Sequence, residues 1–240
     1  MRPLPLAVKV LATAAALPLA LTACSSGTSG SPSGSTAPAP ATTAPQDPNA
    51  GLRTGTQLTK ALAPKSFFTA GFAVDPSGVR DSGGTYIAPA TAGAAKPDCS
   101  KLGGTSWIAV TGVTGVSFSQ NDYMSKNTSE DIAQEIDVYQ GTTAADVVKS
   151  LKAIAAACHT YTDSQTHSKV KVTGKSTTGL GDTSYTITLT DSAWQNGSTL
   201  VAAQTGTSVV SVLSTDGHDN GAATAKKLLR RIVASLKSTA

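Results

Sequence analysis

The chain has 240 residues, of which 14% are charged and 5% aromatic, and its 19 Lys and Arg against 15 Asp and Glu leave a formal charge of +4. Soluble domains usually carry about 25% charged side chains, so a pI near 9.0 reflects a small imbalance among few charges. It is not the clustered Lys and Arg that displace counterions from nucleic acid, which argues against a nucleic-acid partner. The eleven aromatic residues, from Phe67 to Trp194, all follow the first 66 positions, so the folded part starts late.

Residues 1–23 read as a signal peptide: Arg2 and Lys9 are followed by an uncharged run from Val10 to Leu21, ending in Leu21-Thr22-Ala23-Cys24. A dozen apolar residues fall short of the roughly 20 that span a bilayer core. The last four residues resemble a bacterial lipobox, in which the cysteine thiol is acylated and cleavage leaves it at the new N-terminus. Cys24 is therefore the expected lipidation site, carrying diacylglyceryl and palmitate-type chains. A secretory signal with a chance cysteine, or an uncleaved anchor, is the alternative. Lipidation implies a cell-membrane lipoprotein facing the extracytoplasmic side, without ATP or a reducing buffer. Of the three cysteines, Cys99 and Cys158 then remain and are expected to pair in an oxidising compartment. Buried free thiols, or a metal site with His159, are the alternatives, although the close spacing of zinc ligands is missing.

Residues 24–51 are the lipidated cysteine and a linker. From Ser25 to Ala50 only Gln46, Asp47 and Asn49 are not Ser, Gly, Thr, Pro or Ala, so nothing there buries enough apolar surface to offset ordering. Random-coil scaling gives a reach of roughly 30 Å.

Residues 52–240 form the expected domain. A short amphipathic helix covers Thr56 to Leu62, ending before Pro64. The stretch from Ala73 to Asp98, rich in Gly, Pro and Ala with little periodicity, reads as a long loop tied down by Cys99. A strand is expected from Gly115 to Gln120. Ile132 to Tyr139 alternates with its apolar residues at even positions, which predicts a half-buried strand. A helix from Thr143 to His159 places Val147, Leu151, Ile154 and Cys158 on one face, with Thr143 and Asp146 at capping-box spacing. Strands follow over Lys169 to Thr173, Thr183 to Thr190, Leu200 to Thr205 and Ser208 to Ser214, separated by Gly-rich breaks. The C-terminal helix, capped by Asp219 or Asn220, carries an inward stripe of Ala225, Leu228, Leu229, Ile232, Val233 and Leu236. Lys226, Lys227, Arg230 and Arg231 interleave with it as a solvated face, or as a contact for anionic lipid or wall polymer. Consecutive strands with few helices predict an α+β fold: an antiparallel sheet packed against a few amphipathic helices, in a single domain after a disordered linker.

No catalytic constellation emerges. Gly174-Lys175-Ser176 lacks the first glycine of a phosphate loop, because position 169 is Lys. Ser168-Lys169-Val170-Lys171 has Ser-x-x-Lys spacing but lies on a predicted strand without its companion boxes. There is no Gly-x-Ser-x-Gly elbow. Asp216-Gly217-His218-Asp219 reads as the turn before the last helix, and His159 and His167 are too loosely spaced for a zinc helix. No metal and no cofactor are expected. Trp107, Tyr139, Tyr185 and Trp194 are the aromatic residues most able to line a ligand cleft, the alternative for each being a place in the core.

The order of Leu58-Thr59-Lys60-Ala61-Leu62, Gly71-Phe72, Pro97-Asp98-Cys99, Glu135-Ile136-Asp137-Val138-Tyr139, Ala156-Ala157-Cys158 and Gly179-Leu180-Gly181-Asp182 resembles actinobacterial lipoproteins. These carry the extracellular sensor domain of a mycobacterial receptor serine/threonine kinase, the PknH-like domain. The resemblance implies an antiparallel sheet packed against helices, a cleft for an unidentified ligand and no enzymatic activity. That receptor domain has more than one disulfide, whereas only Cys99 and Cys158 are available here. The expected function is a non-catalytic, membrane-anchored sensor-like domain that binds a small molecule or envelope ligand. The partners would be the membrane, through Cys24, that ligand, and a membrane signalling protein. The alternative is a protein–protein or wall-docking module, using the basic C-terminal helix or Lys169, Lys171 and Lys175.

Overall fold

A computed structural model describes residues 46–68, 70–91 and 96–238. The signal peptide, Cys24 and the linker as far as residue 45 lie outside the described residues. The turn at 48–51, assigned from sequence to the linker, already belongs to the domain: Asn49 Oδ1 accepts a hydrogen bond from Gln140 Nε2 at 2.8 Å.

Eight strands form one antiparallel sheet. They are β1 (Phe72–Asp81), β4 (Ser117–Ser125), β5 (Asp131–Val138), β6 (Thr160–Thr162), β7 (Lys169–Ser176), β8 (Thr183–Thr190), β9 (Ser198–Thr205) and β10 (Ser208–Ser214). Their spatial order is β1-β4-β5-β10-β9-β8-β7-β6, while β2 (Ala90–Thr91) and β3 (Val113–Thr114) make a separate ribbon. The helices are α1 (Gly55–Thr59), α2 (Thr143–Ala157) and α3 (Ala222–Ser238), with 3₁₀ turns at Lys65–Phe67, Cys99–Gly103 and Thr105–Thr111. This is the α+β arrangement that the strand spacing predicts. Among the described residues no helix is long and apolar enough to cross a membrane.

Both faces of the sheet are covered. On one, α3 lies against β9 and β10 and α1 against β4, and Leu58, Ile132, Ile136, Val210, Leu228 and Ile232 share a core. On the other, α2 spans β7 to β10 and the Thr105–Thr111 turn crosses β5 and β10, around Trp107, Leu151, Ile187, Leu189, Leu200 and Val209. The α2 face expected from the sequence is the buried one, from Val147 to Cys158. Its N-cap is Thr142, however, and no side-chain bond caps it. The α3 cap is Asp219, whose Oδ2 accepts from Ala223 N at 2.8 Å, and Arg230 and Arg231 are exposed as expected.

Two readings of the sequence need correction. Ala73 to Asp81, which the sequence puts in the long loop, belongs to the edge strand β1 (Phe72–Asp81). Its register against β4 slips between Asp75 and Arg80. There Asp75 Oδ1 accepts from Ser77 N at 2.9 Å, and Pro76, which has no donor to give a ladder, sits where only an edge strand tolerates it. A Cβ on Gly78 would lie 2.4 Å from Asp122 Oδ2. Exposure of this edge and the bulge together erase the alternation that marks a strand. The second correction concerns β5. It is not half-buried: the odd positions, with Ala133, Glu135 and Asp137, face the second core beneath the Thr105–Thr111 turn.

Cys99 and Cys158 are joined, 59 positions apart, with their Cα atoms 5.4 Å apart. Chain-entropy arguments give a bridge of this loop length roughly 4 kcal/mol, with typical measured values of about 2–4 kcal/mol. The double variant Cys99→Ser/Cys158→Ser is expected to lose stability in that range in urea unfolding. A reductant should lower the wild-type midpoint by the same amount and leave the double variant unmoved.

Candidate ligand cleft

Where β5 begins and β10 ends, five segments of the chain meet around a cleft of about 540 Å³, inside the range of small-molecule sites. Its floor is Asp131 on β5 and Leu213 on β10. The two strands are latched there: Asp131 N donates to Thr215 Oγ1 at 2.7 Å and Thr215 N to Asp131 O at 2.9 Å. One wall is the loop after β8, carrying Trp194. In it Asp191 Oδ1 accepts from Ala193 N at 2.8 Å, and Gly197 N donates to Asn220 Oδ1 at 3.0 Å. Gly197 has no room for a side chain, since a Cβ would lie 2.4 Å from Leu189 O. The facing wall is Tyr161 of β6 with the turn at Asp163, whose Oδ1 accepts from Gln165 N and Thr166 N at 2.8 and 2.7 Å. Ser100 and Gly103 close the site. The disulfide holds these last walls together, for Cys99 precedes Ser100 and Cys158 ends α2 just before Tyr161.

The electrostatics are one-sided. Glu130, Asp131 and Asp163 line the cleft, and no Lys, Arg or His does. Burial, reinforced by the negative charges of Asp122 and Asp75, pushes the Asp131 carboxyl up to about 6. Its Oδ1 is buried without a hydrogen-bond partner. Burial also pushes the Tyr161 phenol up to about 12, with Asp163, Asp191 and Asp98 adding to the shift. Asp163, by contrast, is held low by the backbone donors of its turn. Glu130 is anchored to the β10–α3 turn through Gly217 N at 3.3 Å.

Of the aromatic candidates named from sequence, only Trp194 lines this cleft. Trp107 is completely buried, its Nε1 donating to Ser211 Oγ at 3.1 Å, and Tyr139 is 1% exposed. Tyr185 is buried too, packed over Gly174. These three belong to the core. The sequence reading missed Tyr161, in a three-residue strand too short for periodicity, and Asp131, one residue before the predicted strand. Among the described residues no group of three or more His, Cys, Asp and Glu side chains is placed to hold a metal ion.

At the other end of β5 lies a hollow of about 740 Å³, lined by Arg53, Lys60, Lys237 and Val138. Arg53 Nη2 donates to Leu236 O at 2.6 Å. Gly51 and Leu52 also line it. The domain is therefore acidic at one end of β5 and basic at the other, separated by roughly 24 Å of extended strand.

No family model matches the chain, and no curated protein does either. Among solved structures, the crystal structure of the extracellular domain of PknH from Mycobacterium tuberculosis is similar, with a TM-score of 0.57 at 12% identity. The similarity covers 78% of this chain and 97% of that domain. The chain has a PknH-like fold. In that fold the cleft described above is built where the ends of β5, β6, β9 and β10 meet the neighbouring loops.

Interior acids set the response to pH. Asp137 is buried with Oδ2 unpartnered, and burial plus repulsion from Glu135 raise its carboxyl well above the ordinary range. Burial likewise raises Glu135, against the pull of a hydrogen bond from Thr105. A carboxyl raised on folding binds a proton that the unfolded chain releases, so stability falls as pH rises from the unfolded value toward the folded one. For Asp131 that window runs from 3.8 to about 6, a loss of roughly 2–3 kcal/mol. The melting temperature is expected to be higher at pH 4.5 than at pH 8. Asp137→Asn should flatten the profile by raising the pH 8 value, and a profile that the variant leaves unchanged would contradict this assignment.

Proposed function

We propose that this domain works outside the cytoplasm as a non-catalytic ligand-binding module, tethered to the membrane by lipid on Cys24, and that the cleft at Asp131, Tyr161 and Trp194 is its ligand site. The observation that carries the reading is the cleft itself. Two half-buried aromatic rings and a partly desolvated carboxylate converge on a preformed concavity of about 540 Å³, which has the size of a small-molecule site but a lining more polar than most. Its walls are fixed by a disulfide, a strand latch and a pinned loop, so little ordering is needed on binding. The fold shared with an extracellular domain agrees with an extracytoplasmic location.

Two measurements test this reading. Cys24→Ala is expected to move the protein from the membrane fraction to the soluble fraction, and a variant that stays anchored would remove the lipoprotein assignment. Native mass spectrometry of the protein extracted from its own membranes is expected to show a bound small molecule that Trp194→Ala loses. An empty domain that co-purifies with one protein would instead favour a docking role for the exposed Lys169, Lys171 and Lys175 of β7.

A further inference from the structure

The charge balance of the cleft runs against that of the chain. The whole sequence is net positive, yet every ionisable group lining the cleft apart from the Tyr161 phenol is a carboxyl. Asp98 and Asp191 add their fields at Tyr161, and Asp122 and Asp75 add theirs at Asp131. The basic side chains that act on these acids, Lys101 at Asp98, Arg80 at Asp122 and His167 at Asp163, are not among the lining residues. Within the cleft, the negative charge has no internal counterion.

An anion entering here would meet repulsion from several sides. A neutral ligand would leave the half-buried Asp131 charge, with one oxygen already unpartnered, in a drier place with at most a hydrogen bond and no opposite charge to offset it, which is costly. A cation relieves both problems. The Trp194 and Tyr161 rings add the second component, since aromatic faces attract ammonium groups through their quadrupoles, and carboxylates beside such rings strengthen the attraction. The volume suits a small organic cation rather than a bare metal ion, in keeping with the lack of clustered metal ligands among the described residues.

We infer that the cleft binds a small organic cation, its ammonium group held by the Asp131 carboxylate and the Trp194 and Tyr161 rings. This rests on the cleft being the ligand site, and it names the chemical class of that ligand. Glu130 and Asp163 supply the surrounding negative field, and Ser100 and Asn196 supply polar contacts for the rest of the molecule.

Choline and putrescine serve as probes, and 3,3-dimethylbutan-1-ol, which has the shape of choline without its charge, serves as the control. Maltose stands for neutral polyols. Trp107 is completely buried, so a ligand-dependent change in tryptophan emission reports Trp194. Titration of the complete chain at millimolar probe is expected to give saturable binding of at least one cation and none of the uncharged alcohol. Asp131→Asn should weaken the cation at least tenfold. Asp163→Asn, which keeps the acceptor of its turn, should weaken it several-fold without touching the core. Binding should also fall roughly tenfold from pH 7 to pH 5, as protons compete for a group that titrates at about 6. If the uncharged alcohol or maltose binds as well as choline, the cleft remains a ligand site and the cation assignment is overturned. If none of the probes moves the emission while native mass spectrometry still shows a ligand lost on Trp194→Ala, the cation assignment again fails alone. An empty domain in that same measurement overturns the ligand site with it.

Discussion

The architecture depends on a sheet whose central strands have no solvent face. Every residue of β10 is buried, and β9 is nearly so. A strand with two apolar faces has to be roofed on both sides, and the chain does so with α3 and α1 on one face and α2 and the 3₁₀ turns on the other. Polar groups trapped between these layers must find partners inside. Gln134 does so completely: its Nε2 donates to Ala63 O and its Oε1 accepts from Ala63 N, both at 3.0 Å. That pair clamps the segment after α1 onto β5 with the geometry of one more ladder rung. Asp137 does not, and so the interior carries a carboxyl that folding keeps protonated well above the ordinary range.

What was legible in the sequence follows from the same constraint. α3 was readable because only its inner face is buried, so its stripe and its cations separate at helical spacing. β10 was readable because a buried strand between glycine turns leaves a clear apolar run, and β8 because Tyr185, Ile187 and Leu189 alternate with polar residues. β5 misled because polar residues at every second position usually mean solvent. Here they mean a second roof, made by a 3₁₀ segment around Trp107 that has no helical periodicity to announce it. β1 was hidden for the opposite reason: an exposed edge with Pro76 and a bulge carries little apolar signal. The cleft was the least legible part. Asp131, Tyr161, Asp163 and Trp194 lie on separate segments, and their convergence is a consequence of strand order, which alternation does not encode. The aromatic residues singled out from composition went mostly to the core, where large rings bury most area.

The disulfide contributes to the site as well as to stability. It joins the 3₁₀ turn that holds Ser100 to the end of α2, from which the chain runs directly into Tyr161. Without it, two cleft walls would be connected only through the intervening 59 positions, a path that passes through β4, β5 and α2. With it, the walls are neighbours through one covalent link, and a ligand bridging them finds its contacts already placed. A cleft walled in part by loops gains most from such a link, because loops otherwise open locally at little free-energy cost.

Charge segregation along β5 adds a physical reason for the two ends to play different parts. The strand's Asp131 end sits among carboxylates, and its Val138 end opens on Arg53, Lys60 and Lys237. Opposite fields about three Debye lengths apart at physiological salt are screened from one another and persist as separate local environments. A cation approaching the domain is drawn to one end and repelled from the other. The modest net charge of +4 therefore conceals a polarised domain, and it is the distribution of its few charges, rather than their sum, that orients what it meets.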